Sequence, residues 1–429
     1  MGKKLKIVLR FFPVLLIMAA LTIALTHQAE ASVPGVTTLV SVNNSGNGQD
    51  GNNHSGLSSF GNGAMVSRNG KYVAFSSRAA NLITGDTNSK QDVFMRDLKN
   101  NTTVRISISN TGDQLDATSN VGAISETGRY VIFTTTADGQ SVHSTYVRDT
   151  KLNTTTSAYP DGVYSEPRGI SSEGRFLLFD DVGTGGYWHV YMVDRQLNTT
   201  TQLDNANGRY ASAGSAPQNA QMSCDGSLIA FESTATTLTG DTPNGHTNIF
   251  VLDRRAGSQI VNITKDANND SVNPTISCNG DYVGFLSKAT NITSGVTSAA
   301  QGHYYEYDRV DDSYALLDQT ANGTPFDGYW MYVGYEIQID DKGNALFTAK
   351  TTNFDYFNIP EQVYLRTKDA QTTERLSKST TATYSNGNST RTPFISADGQ
   401  VAGFLSNATN LNSNATSTYE NVFTAQTGL

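Results

Sequence analysis

The sequence predicts an all-β fold, a closed ring of seven four-stranded antiparallel blades whose last blade is completed by a strand from the N-terminal end. Three observations carry that prediction. A turn glycine followed by an apolar run ending in Phe recurs seven times, at Gly70, Gly128, Gly174, Gly226, Gly280, Gly343 and Gly399. The spacings are 58, 46, 52, 54, 63 and 56 residues, too long for a helical solenoid and right for the blades of a β-propeller. The seventh copy holds only three strand-like runs, and the fourth stands at the other end of the chain, in residues 37–42.

Each element has a local reason. The first copy begins Met65-Val66-Ser67-Arg68-Asn69-Gly70, where Gly supplies the positive φ of a tight hairpin. Tyr72-Val73-Ala74-Phe75 follows, echoed by Tyr130-Val131-Ile132-Phe133, Phe176-Leu177-Leu178-Phe179, Leu228-Ile229-Ala230-Phe231 and Tyr282-Val283-Gly284-Phe285. Blades six and seven keep shorter versions, Ala345-Leu346-Phe347 and Val401-Ala402-Gly403-Phe404. Aromatic and β-branched residues at period two mark half-buried strands. The third run ends in Asp97, Asp149, Asp194, Asp253 or Asp308, with Thr367 and Gln426 in the last two copies. An Asp there caps a turn through its own backbone. The fourth run is Thr-rich, as in Thr102-Thr103-Val104.

This repeat resembles the WD-like propeller repeat of TolB and of the propeller domains of prolyl oligopeptidases. The resemblance covers nearly all of residues 32–429, which we read as a single domain. It implies the ring, without an α/β lead domain or a hydrolase domain, and it implies no activity.

Residues 1–31 read as a secretory signal peptide. Lys3, Lys4, Lys6 and Arg10 precede an apolar run from Phe11 to Leu25, and Ala29-Glu30-Ala31 offers small residues for cleavage. An uncleaved anchor is the alternative, but the run is short for a membrane span. No Cys follows to carry a lipid, and no second hydrophobic stretch appears, so no membrane span is expected after cleavage. The expected destination is the periplasm, the cell surface or the medium, as a monomer. The signal carries a net +3, so residues 32–429 carry −12 against −9 for the whole chain. An acidic chain without a basic stripe argues against nucleic acid and anionic membranes.

Cys224 and Cys278 occupy equivalent hairpin tips in consecutive blades, which approach only near the axis. A disulfide and a pair of semi-buried free thiols are both open there.

Aromatic clusters mark a candidate ligand face. Trp188-His189 and His303-Tyr304-Tyr305 begin third strands, and the longest spacing holds Asp327, Tyr329, Trp330 and Tyr332. If these loops open at one mouth of the ring, rings beside Asp and Asn suit a glycan or a protein ligand. Loop packing is the plainer alternative. His143, His189, His246 and His303 recur before the third-strand acid, yet that strand stands away from the axis, too far out for one shared metal ion. Oligogalacturonate lyases are propellers with a His-bound metal, and their motif does not align onto these residues. Asp86, Asn88 and Asp92 offer oxygens at alternating positions, a weak Ca²⁺ pattern that lacks a terminal bidentate Glu. No other cofactor is indicated. No Gly-x-Ser-x-Gly elbow is present, and Ser396-Ala397-Asp398-Gly399 lacks the features of a sialidase Asp-box. The sequence therefore favours a non-catalytic binding module for a protein or cell-envelope glycan. An extracellular polysaccharide lyase or glycosidase is the alternative.

Overall fold

A computed structural model describes residues 36–44, 48–57, 63–137, 143–158, 165–182, 188–206, 209–210, 218–298, 302–327, 337–351, 353–354, 360–379, 381, 384–389 and 393–429. Seven four-stranded antiparallel sheets follow one another along the chain, with a two-residue hairpin at 205–210. In the first blade the strands are Ala64–Val66, Tyr72–Ser77, Asp92–Asp97 and Thr102–Arg105, running outward from the axis. No helix among the described residues is long and apolar enough to cross a membrane.

Within a blade, the repeated Phe of the second strand faces an aromatic residue of the third. Phe75 pairs with Phe94, Phe231 with Phe250, Phe285 with Tyr305 and Phe404 with Phe423, with ring centroids 5.6–5.9 Å apart. These pairs are buried and form the heart of each sheet sandwich. The third-strand aspartates cap the next turn, as where Asp194 Oδ1 accepts the amides of Gln196 and Leu197.

Between blades, the contact is made by the turn glycine. Gly174 has φ 70°, and a Cβ built on it would overlap the ring of Tyr130 in the preceding blade. The guanidinium of Arg195, which donates to Gly174 O at 2.8 Å, lies over the same ring, 5.7 Å from its centroid. At six of the seven seams the first residue of a second strand is thus seated under its neighbour's hairpin, and at Gly399 Asp340 takes that place.

At the axis the hairpin tips are joined in sequence. Asn69 N donates to Glu126 O (3.1 Å), Ser172 N to Cys224 O (2.8 Å), Cys224 N to Cys278 O (2.8 Å), Asp341 N to Ala397 O (2.9 Å) and Ala397 N to Arg68 O (2.7 Å). Side chains complete the circle: Ser172 Oγ donates to Glu126, and Asn279 N donates to Asp341 Oδ1 at 2.8 Å. Cys224 and Cys278 are disulfide-bonded, with Cα atoms 4.7 Å apart.

The N-terminal strand closes the ring by pairing Thr37 with Ala425, Thr38 with Thr424 and Leu39 with Phe423. Regular pairing covers Thr37–Leu39, shorter than the 37–42 expected. Beyond Val40, the Ser41 hydroxyl takes over, accepting Val422 N (3.1 Å) and donating to Asn421 Oδ1 (2.8 Å).

Two outcomes follow. Deleting residues 32–43 removes buried Leu39, Val40 and Val42 with the closing strand, and should lower the thermal midpoint sharply; an unchanged melting curve would contradict this closure. Gly174→Ala should cost about 1–3 kcal/mol more in denaturant melts than Gly85→Ala. Gly85 also has positive φ but no atom within 4 Å of the added methyl, so an equal cost at both sites would show that the seam is not tightly packed.

Candidate functional site

Among the described residues, those singled out from sequence do not assemble into one site. Tyr305 is the third-strand member of its blade's aromatic pair, and Tyr304 packs against Phe347 of the next blade at 5.1 Å. Both are fully buried, and their hydroxyls donate to Ala289 O and Thr348 O. They are core residues, a correction to the reading of an exposed aromatic face. The signal was present in the sequence: Tyr305 stands where Phe94, Phe250 and Phe423 stand.

His189 and His303 share a structural position, whereas His143 precedes it by one residue and His246 by two. At this position the first polar residue of the third strand meets the second residue after the fourth. His189 Nδ1 lies 2.6 Å from Asp204 Oδ2, and His303 Nδ1 lies 2.9 Å from Asp318 Oδ2. In other blades Ser107 bonds Asp92 and Ser377 bonds Gln362 in the same way. The two imidazoles are therefore parts of a repeated clamp, in blades that are not neighbours. Asp92 and Asp86 face Arg105, at 3.5 and 3.4 Å, and both accept from Gln114 Nε2. Asn88 is turned to Leu115 O and the Lys90 amide. A guanidinium thus supplies the positive charge between the two acids considered for Ca²⁺. Asp327 accepts from Thr351 Oγ1 and Asn353 N, both at 3.0 Å. Tyr329, Trp330 and Tyr332 lie outside the described residues. Trp188 is half-buried at the end of blade three, paired with Val182.

A different cluster emerges on the channel side of blades three to five. The residue after each repeated Phe points to the seam with the next blade. Ser76 Oγ accepts Val121 N there at 2.9 Å. At the next-but-one seam the same job falls to Asp180, which accepts the Ala220 amide, and then to Glu232, whose Oε2 accepts Asn273 N at 2.5 Å. The inner strands bulge at these places, between Pro167 and Gly169, Gln218 and Gln221, and Val272 and Thr275. A bulge re-aims side chains. Asn219 and Asn273 take left-handed backbone, φ 53° and 52°, which Asn tolerates better than most residues. Arg168 Nε donates to Asp180 Oδ2 (2.6 Å) and its Nη2 to Glu166 Oε2 (2.5 Å). Asn219 Nδ2 donates to Glu232 Oε1 (3.2 Å) and to Asn273 Oδ1 (2.9 Å).

Burial pushes both seam acids up to about 6: Asp180 against the attraction of Arg168, and Glu232 against the hydrogen bonds from Asn273 and Asn219. A hydroxyl satisfies the first seam, so amide capping alone does not require a carboxylate at the third and fourth. This charged wall was not read from sequence, although Phe179-Asp180 and Phe231-Glu232 stand in register with Phe75-Ser76.

The wall has a pH signature. An acid raised on folding binds its proton more tightly in the folded state, so its contribution to stability falls as pH rises from about 4 to 6. Glu232→Gln should lessen that fall, gaining about 2 kcal/mol on wild type between pH 4 and 7 in denaturant melts. Parallel pH profiles would show that Glu232 is not held up by its surroundings.

Neither protein-family models nor curated proteins give a match to this sequence. Solved structures do match in fold. An oligogalacturonate lyase in complex with manganese aligns with TM-score 0.53 at 11% identity, over 92% of this chain and 97% of that one. A prolyl endopeptidase aligns with TM-score 0.54 at 11% identity, over 81% of this chain and 46% of the other. TolB from Acinetobacter baumannii aligns with TM-score 0.44 at 11% identity, over 71% of this chain, which spans 63% of TolB. What this chain, with its seven four-stranded blades, shares with the lyase and the prolyl endopeptidase is the fold.

Proposed function

We propose that the protein is an exported, non-catalytic binding propeller that takes a cell-envelope glycan at the blade-three to blade-five side of its channel mouth. The observation that carries this reading is the charged wall. Glu166, Arg168, Asn219, Glu232 and Asn273 are only partly buried and offer both hydrogen-bond donors and acceptors. Glu166 pairs with Asp180 one register step inside Ser165 and Asp181, and Trp188 closes the same end of blade three two strands further out. A partly exposed indole at the same end of the blade as carboxylate and amide groups suits the apolar face and polar edge of a sugar ring. Export rests on the basic, apolar and small-residue pattern of residues 1–31.

A catalytic reading has its own support. Two acids titrating near 6 suit proton transfer at neutral pH, as a glycosidase or polysaccharide lyase requires. The oligogalacturonate lyase of like fold keeps that alternative in view.

Glycan arrays, followed by incubation of any retained glycan with and without EDTA, separate the two. Retention without product is expected, while turnover would overturn the binding reading. Trp188→Ala and Glu232→Gln should each weaken retention about tenfold or more. Unchanged binding in both variants would remove this wall from consideration.

A further inference from the structure

We infer that the axial cavity beneath this wall is an anion site, built to receive a small carboxylate or oxyanion group on Arg68. The cavity, of about 70 Å³, is lined by Met65, Arg68, Glu126, Arg168, Gln338 and Phe394 among others. A water occupies ~10–15 Å³ on this measure, so the space suits several waters or one small anion, and is too small for a sugar ring. It differs from the glycan reading in ligand, and shares Arg168 with that wall.

The charges around the cavity are unequally committed. Arg168 gives its guanidinium to Glu166 and Asp180. The Glu126 carboxylate accepts the Ser172 hydroxyl. Asp341, the acid that attracts Arg68, accepts the amides of Asn279 and Cys278. Arg68 alone donates none of its five side-chain N–H groups to a described residue. It sits in the ring of hairpin tips, fixed by its carbonyl to Ala397 N, and its partly buried side chain lines the cavity.

A partly buried guanidinium without hydrogen-bond partners is costly unless an anion or water meets it. Burial lowers the basicity of Arg68 despite the pull of Asp341, the direction expected of a cation short of counter-charge. The lining charges are two arginines and one glutamate, in a chain whose net charge is −9. With Arg168 already paired to Glu166 and Asp180, Arg68 is the cation left to meet an anionic group, and Gln338 and Gln221 supply further amide donors.

Isothermal titration of the full-length protein with sodium phosphate, sulfate or acetate tests this, at constant ionic strength against chloride. Saturable binding of one equivalent is expected for at least one of them. The phosphate and sulfate arms against the acetate arm tell tetrahedral oxyanion from carboxylate. Arg68→Met should lose at least tenfold in affinity, Arg68→Lys should retain part of it, and the exposed Arg255→Met should match wild type. Should Arg68→Met fail to fold by circular dichroism, Gln338→Glu places an acid in the cavity without touching Arg68, and should abolish binding. Glu232→Gln should leave anion binding intact even where it weakens glycan retention, so the two sites fail separately. No saturable heat with any anion, or binding retained in Arg68→Met or Gln338→Glu, would overturn the assignment and leave water as the partner of Arg68.

Discussion

The ring depends on how closely one blade's hairpin can approach the preceding blade's second strand. A tyrosine, phenylalanine or leucine at the start of that strand lies where the neighbouring hairpin would carry a Cβ, and a glycine is needed to let it in. The same glycine has the positive φ that turns the hairpin. One residue type thus satisfies a backbone demand and a packing demand together, so losing it is felt on both sides of a seam. The hydrogen-bonded circle of hairpin tips and the disulfide at its edge presuppose that approach.

Much of this was legible in the sequence, because it repeats. The turn glycines, the runs ending in Phe and the Thr-rich outer strands are local signals, and their periodicity gave the blade count. The displaced fourth strand was legible too, since Thr37–Leu39 completes a blade that otherwise has three. Its length was not. Regular pairing yields to the Ser41 hydroxyl clamp, a side-chain exchange that alternation does not reveal.

The functional residues were less legible, for a physical reason. Repetition exposes what blades share, whereas a binding site lives where they differ. Tyr304 and Tyr305 looked distinctive as an aromatic pair but fill positions that other blades fill with other aromatics. His189 and His303 are variants of a clamp that elsewhere uses Asp, Asn or Gln. Asp180 and Glu232 depart from the repeat, yet read alone they are two acids after a Phe. Their meaning depends on inner-strand bulges and on amides from the next blade, contacts between chain segments that no single run contains.

The closing strand joins residues almost 390 positions apart, Thr37 with Ala425, and nothing covalent ties that seam. Until the last-made blade exists, the first-made strand has no mate, and the incomplete sheet shows a bare edge of Val422 and Phe423. Such an edge accepts the same segment from any copy of the chain. At high concentration, folding thus has a second outcome in which two molecules trade their leading strands, and each ring is completed by the other.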